Sequence, residues 1–119
     1  MKKLALIAHD NKKADIVAWA MKNVESLKNY TLCGTGRTAE LVEQATGLKV
    51  EAFLGGPYGG DLEIGAEIAT RKIDIVVFFW DPLCSQPHDP DVKALMRIAA
   101  VYDIPFATNR ATADLILGA

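Results

Sequence analysis

Apolar residues fall along this chain in two alternating rhythms. Short runs that fit buried strands occur at residues 4–8, 30–33, 50–54, 73–80 and 104–107, each too brief for a stable helix. Between them the spacing widens to three and four. Val17, Ala20, Met21, Val24 and Leu27 share one helical face, and Ala39, Leu41, Val42 and Ala45 share a second, with Gly47 placed to stop that helix. Ile64 and Ile68 mark a third helix that closes on Arg71 and Lys72, cations suited to the negative end of its dipole. Val92, Leu95, Met96 and Ala99 mark a fourth, and a last helix begins near Ala111. The run at 73–80 is the longest and most apolar, as befits a strand covered on both faces. Five β/α units in succession predict a single-domain α/β fold over residues 1–119. The expected form is a three-layer sandwich, with a central, mostly parallel five-stranded sheet and helices on both faces.

Composition narrows the class. A chain of 119 residues, half hydrophobic and 24% charged, supports one self-sufficient core and excludes a disordered or repeat architecture. Thirteen basic against 15 acidic residues leave a net charge of −2, which gives no electrostatic footprint for nucleic acid. Cys33 and Cys84 stand far apart with no C-x-x-C and read as reduced cytosolic thiols. Met1-Lys2-Lys3 and the apolar run after it imitate the start of a signal peptide, but His9-Asp10 cut the run shorter than the ~7–15 residues such a segment needs. The run at 73–80 is likewise far short of the ~20 residues of a membrane helix. A soluble, cytoplasmic protein is expected, with no membrane or nucleic-acid partner.

In a parallel sheet flanked by helices, ligands bind beyond the carboxyl ends of the strands, so the polar residues that follow each strand carry the functional information. His9-Asp10 follow the first strand, with Lys13 one turn on; Gly34-Thr35-Gly36-Arg37-Thr38 follow the second. Gly55-Gly56-Pro57-Tyr58-Gly59-Gly60-Asp61 follow the third, and Asp81-Pro82 with His88-Asp89-Pro90-Asp91 follow the fourth. The stretch from Thr35 to Thr38 has the makings of an anion cradle, because glycine admits close approach, hydroxyls donate, and the next helix begins there. A plain cap by Thr35 or Thr38 is the competing reading. Asp61 is equally open between an N-cap and a catalytic carboxylate, and Asp89-Pro90 reads as an ordinary helix entry.

His9 and His88, together with Asp10, Asp61, Asp81 and Asp91, surround that cradle with acids and bases. Crowded carboxylates would weaken a simple phosphate site, yet they suit a general base poised nearer neutrality. Proton abstraction from carbon in a small phosphorylated molecule follows, with a metal site as the rival use of the cluster.

Ala8-His9-Asp10, the Gly34 to Thr38 and Gly55 to Asp61 segments, Phe78-Phe79-Trp80-Asp81-Pro82-Leu83, Pro87-His88-Asp89-Pro90-Asp91-Val92-Lys93-Ala94-Leu95 and Ala107-Thr108-Asn109 closely resemble the methylglyoxal synthase family, in order along nearly the whole chain. The resemblance implies a methylglyoxal synthase-like version of the Rossmann/flavodoxin-like sandwich. It also implies conversion of dihydroxyacetone phosphate to methylglyoxal and inorganic phosphate without metal or organic cofactor. Matched by position, Asp61 is the base, His88 works at the substrate oxygens with Asp91 beside it, and Asp10 and Asp81 are supporting acids. Lys13, Thr35, Gly36, Arg37 and Thr38 hold the phosphate, and His9, Gly55 and Gly56 make further substrate contacts. Family members often carry Thr at the position of Arg37 and Ser at that of Gly55. A phosphate-inhibited homohexamer is the implied assembly. The fold also resembles the effector-binding domain of carbamoyl phosphate synthetase, but Asp61, His88 and Asp91 together argue for chemistry rather than regulation alone.

Overall fold

The computed structural model describes residues 1–55, 58–83 and 92–118. Five strands, β1 (Lys3–Ala8), β2 (Thr31–Thr35), β3 (Val50–Phe53), β4 (Ile75–Phe79) and β5 (Phe106–Ala107), pair in the order β3-β2-β1-β4-β5. Every pairing is parallel. The helices are α1 (Lys13–Lys22), α2 (Val24–Leu27), α3 (Gly36–Thr46), α4 (Gly60–Ala69), α5 (Val92–Val101) and α6 (Arg110–Gly118), with a 3-10 turn over Asp10–Lys12. Each parallel connection needs such a crossover.

Alternation along the two central strands divides the interior. Leu4, Leu6 and Ala8 of β1 and Ile75, Val77 and Phe79 of β4 face one cluster, closed by Ile16, Trp19 and Ala20 of α1, Ala39 and Val42 of α3, and Ala113 of α6. Ala5, Ile7, Val76 and Phe78 face the other, closed by Ile64 and Ile68 of α4 and by Val92 and Leu95 of α5. All five residues of β4 are buried, as its unbroken apolar run predicts.

Several boundaries differ from the sequence pattern. Asn23 interrupts the first helical stretch: its amide donates to the Trp19 carbonyl at 2.8 Å and α1 ends there. The inward face is therefore Ile16, Trp19 and Ala20, while Met21 is 55% exposed. On α5, Met96 likewise turns out of the core that Val92, Leu95 and Ala99 enter. Gly47 stops α3 as expected, with φ of 76° and its N–H on the Glu43 carbonyl.

Beneath the α4 face, Lys3 reaches Glu51 at 2.9 Å and Glu67 at 3.5 Å, beside the buried thiol of Cys33. Burial pushes that thiol up from 9.0 to about 12, against the lowering effect of Lys3. The acid is thus harder to ionise folded than unfolded. Its contribution to stability is complete below pH 9.0 and disappears as pH climbs toward about 12. Denaturant midpoints measured across this range should fall, and the Cys33→Ala chain should fall less steeply; an identical slope would exclude the thiol as a cause.

Candidate active site

The chain leaves β1 toward β2 and β3, then crosses back to lay β4 on the other side of β1. The order of strands reverses between β1 and β4, so their carboxyl ends open the crevice where sheets of this type take ligands. The register pairs Ala8 with Phe79, which brings the next residues of both strands together. His9 donates its backbone N–H to the Phe79 carbonyl at 3.1 Å, and its Nδ1 accepts the Asp81 backbone N–H at 3.0 Å. That contact puts the ring proton of neutral His9 on Nε2, making this nitrogen the donor side of the ring. His9 is 3% exposed, and its ring meets Phe78 edge to face at 5.3 Å. Two residues separated by most of the sequence are thus locked at one point of the rim.

The Asp81 carboxylate is also buried. It accepts the Asn11 side-chain amide at 3.1 Å and the Leu83 backbone N–H at 3.0 Å. Sequence patterning passed over Asn11, because a polar residue at a helix entry carries no distinguishing periodicity. Lys13 is anchored nearby: its Nζ lies 2.9 Å from the Asp10 carboxylate and 3.1 Å from the Ala8 carbonyl. The cation is therefore held at the carboxyl end of β1 rather than trailing into solvent.

Beyond β2 the expected cradle is tighter than the sequence suggests. Gly34 and Thr35 belong to the strand, and α3 begins at Gly36. Thr35 occupies the N-cap position, yet its hydroxyl makes no capping hydrogen bond. Thr38 is fully buried in the first turn, and its Oγ1 has no hydrogen-bond partner among the described residues. Simple capping therefore does not account for either hydroxyl. Arg37 is exposed and pairs with Glu40 at 3.3 Å along the surface of the helix.

The β3–α4 turn packs against this cradle through bare backbone. A Cβ on Gly36 would meet the Phe53 carbonyl oxygen at 3.1 Å and the Gly55 nitrogen at 3.3 Å. A Cβ on Gly60 would run into the Leu54 carbonyl oxygen, closer than nonbonded atoms can approach. Gly60 instead donates its N–H to the Gly55 carbonyl at 3.0 Å, and Glu63 accepts the Leu54 N–H at 2.8 Å. Asp61 then stands in the first turn of α4. The N-cap is Gly59, at φ of 93°, so the capping alternative for Asp61 is removed. The Asp61 carboxylate accepts the Leu62 N–H at 3.0 Å and is partly exposed.

Gly56, His88, Asp89 and Asp91 lie outside the described residues, as does Cys84. Among the described residues no group of three or more His, Cys, Asp or Glu side chains converges on a metal-sized site. No helix among them is long and apolar enough to cross a membrane.

Two substitutions test this geometry. Gly60→Ala should cost about 1–3 kcal/mol through overpacking of the turn, seen as a lower denaturant midpoint, while an unchanged midpoint would show that the turn has room. His9→Phe keeps the ring contact with Phe78 but leaves the Asp81 N–H without its acceptor. A loss of about 1–3 kcal/mol is expected from the stranded donor.

A family model described as the MGS-like domain matches residues 15–108. The methylglyoxal synthase of Clostridium acetobutylicum is 55% identical over 116 residues, spanning 98% of this chain and 80% of the relative. That of Leptospira interrogans is 55% identical over 117 residues, spanning 98% of this chain and 79% of the relative. The crystal structure of methylglyoxal synthase from Elizabethkingia anophelis superposes with a TM-score of 0.95 at 48% identity, covering 99% of this chain and 78% of the other. A match that spans nearly the whole chain and superposes its fold this closely makes the chain a member of the methylglyoxal synthase family.

Proposed function

We propose that the enzyme works on dihydroxyacetone phosphate by seating the phosphate at the start of α3 and removing a carbon-bound proton with Asp61. The observation that carries this reading is the buried hydroxyl of Thr38, left without a partner in the first turn of a helix whose N-cap residue, Thr35, does not cap it. A buried hydroxyl without a partner costs about 1–3 kcal/mol, which an arriving phosphate oxygen would recover. Helix N–H groups and the dipole favour the same anion. Gly36 belongs to that turn, and Lys13 supplies a cation from the adjacent strand end. Arg37, engaged by Glu40, would have to release that pair to join them.

The chemistry then follows in three steps. Asp61 takes a proton from the hydroxymethyl carbon, leaving an enediolate. The hydroxyl proton on that carbon passes to the neighbouring enolate oxygen, and electrons returning from the oxygen it leaves form the aldehyde as the carbon–carbon double bond shifts and the bond from carbon to phosphate oxygen breaks. The phosphate takes up the proton that Asp61 removed, and the enol left behind loses its hydroxyl proton and gains one at the carbon that bore the phosphate, giving methylglyoxal and inorganic phosphate. His9, donating from Nε2, and His88 would stabilise the developing oxygen charge, with Asp91 supporting His88. Gly55 and Gly56 would offer backbone contacts to the substrate. Asp81 and Asp10 act as positioning acids, the first on the His9 and Asn11 segment and the second on Lys13. Elimination, rather than return of the proton, requires the departing bond to stand perpendicular to the enediolate plane, which a fixed phosphate seat enforces.

A homohexamer inhibited by phosphate is the assembly we propose. Leu54, Tyr58 and Leu83 on turns near the rim, and Leu62 in the first turn of α4, leave large apolar side chains exposed, surface that a neighbouring subunit would cover. Competition for the α3 seat would account for the inhibition. A cytoplasmic location fits the free, buried thiol of Cys33.

Methylglyoxal formation from dihydroxyacetone phosphate, followed in a chelator, tests the scheme. Wild type should exceed the spontaneous decay of the substrate, and Asp61→Asn should lose on the order of 10²–10⁴ in kcat while still binding phosphate. A wild-type rate in Asp61→Asn would remove Asp61 as the base. Turnover abolished by the chelator and restored by added metal would favour a metal-dependent reaction instead.

A further inference from the structure

The turn between β3 and α4 joins the two helix starts that the scheme above must keep in register, and Leu54 lies where they meet. Its carbonyl accepts the N–H of Gly36, the first residue of α3, at 3.4 Å. The same oxygen bars a side chain at Gly60, the first residue of α4. The N–H of Leu54 is taken by the Glu63 carboxylate at 2.8 Å. Glu63 is itself fixed in α4, where its backbone N–H bonds to the Gly59 carbonyl at 3.0 Å. The scheme gives this side chain no part, although it stands two residues after Asp61.

A carboxylate near the start of a helix is favoured by the dipole, and an N–H bonded to a charged oxygen is held more strongly than one bonded to a neutral oxygen. Backbone bonds also brace this turn: the Gly55 carbonyl accepts the N–H groups of Tyr58 and Gly60, both at 3.0 Å. The Glu63 tether differs in kind, because a side chain makes it and it runs from the helix to the exit of the strand. It sets how the first turn of α4 stands against that of α3. Displacing a reacting group by about 1 Å can cost on the order of 10²-fold in rate. A solvent-exposed bond of small weight in folding can therefore weigh heavily in turnover.

We propose that Glu63 is a positioning residue for the reaction: its carboxylate ties Leu54 to α4 and so fixes the distance from the phosphate seat to Asp61. The assignment rests on the function proposed above, with Asp61 as the base. What the tether needs is an acceptor and sufficient reach, rather than charge. Glutamine keeps both, since its amide carries a carbonyl oxygen on a side chain of equal length. Aspartate keeps the charge but is shorter by one carbon, about 1.5 Å, which takes its oxygen out of hydrogen-bond range of Leu54.

Turnover of dihydroxyacetone phosphate and its inhibition by inorganic phosphate can be compared in wild type, Glu63→Gln, Glu63→Asp and Glu63→Ala, with a denaturant midpoint for each. Glu63→Gln should keep kcat within about threefold, while Glu63→Asp and Glu63→Ala should each lose about tenfold or more. The inhibition constant of phosphate should stay within about twofold throughout, because the seat is built on α3. A role confined to folding would lower the midpoint without separating kcat from phosphate affinity. Wild-type rates in both Glu63→Asp and Glu63→Ala would overturn the assignment while leaving Asp61 as the base. So would a rate kept by Glu63→Asp and lost by Glu63→Gln, which would make charge the requirement, or a phosphate constant that rises as far as kcat falls. Should Glu63→Ala not fold, the aspartate and glutamine variants decide between reach and charge on their own. Asp61→Asn, measured alongside, keeps the two readings apart: a wild-type rate there would overturn the base, and the role of Glu63 with it.

Discussion

The parallel pairing of β1 with β4 is the constraint on which the site depends. Because the register ends with Ala8 beside Phe79, the chain must place His9 and Asp81 within reach of each other as the two strands separate. The imidazole then becomes part of the sheet's termination, since its Nδ1 receives the backbone N–H that a further ladder bond would otherwise have used. Asn11 extends the same connection into the Asp81 carboxylate, and Lys13 returns to the Ala8 carbonyl. One crossover in the topology therefore sets the tautomer of a histidine, the orientation of a carboxylate and the position of a cation.

A second constraint is the closeness of the β2–α3 and β3–α4 turns. Glycine at positions 36 and 60 lets backbone pack directly on backbone, and the conformational freedom lost there is offset by fixing two helix starts relative to each other. The proposed phosphate seat and the proposed base, Asp61, each fall within the first turn of one of these helices. Side chains that must act on one small substrate are in this way carried by rigid elements rather than by free loops.

The layered fold was legible because it follows from periodicity, and periodicity survives in a single sequence. The unbroken apolar run of β4 foretold its central place, and Gly47 its helix stop. Met21 misled because its spacing fits a continuous helix that Asn23 ends, a local competition between side-chain amide and backbone that hydropathy does not register. The rim was legible as a set of residue types, including His9, Asp81, Thr35 and Thr38. Its geometry was not. Whether Thr35 caps, whether Arg37 turns to Glu40, and whether Asn11 supports Asp81 depend on distances between strand ends that no spacing encodes. Nothing in the run of glycines in the third turn marks which one packing demands, and it is Gly60 that the Leu54 carbonyl requires.

The two outer strands carry a separate consequence. β5 contributes only Phe106 and Ala107 and follows directly on Pro105, which has no N–H to offer. β3 is four residues long, and its exposed Glu51 is tied back by Lys3. Short edges with a proline at one and an engaged charge at the other are poor templates for another chain's backbone. Copies of this protein that meet must therefore do so through side chains of helices and turns, leaving the sheet closed to the edge-to-edge growth that leads to aggregation.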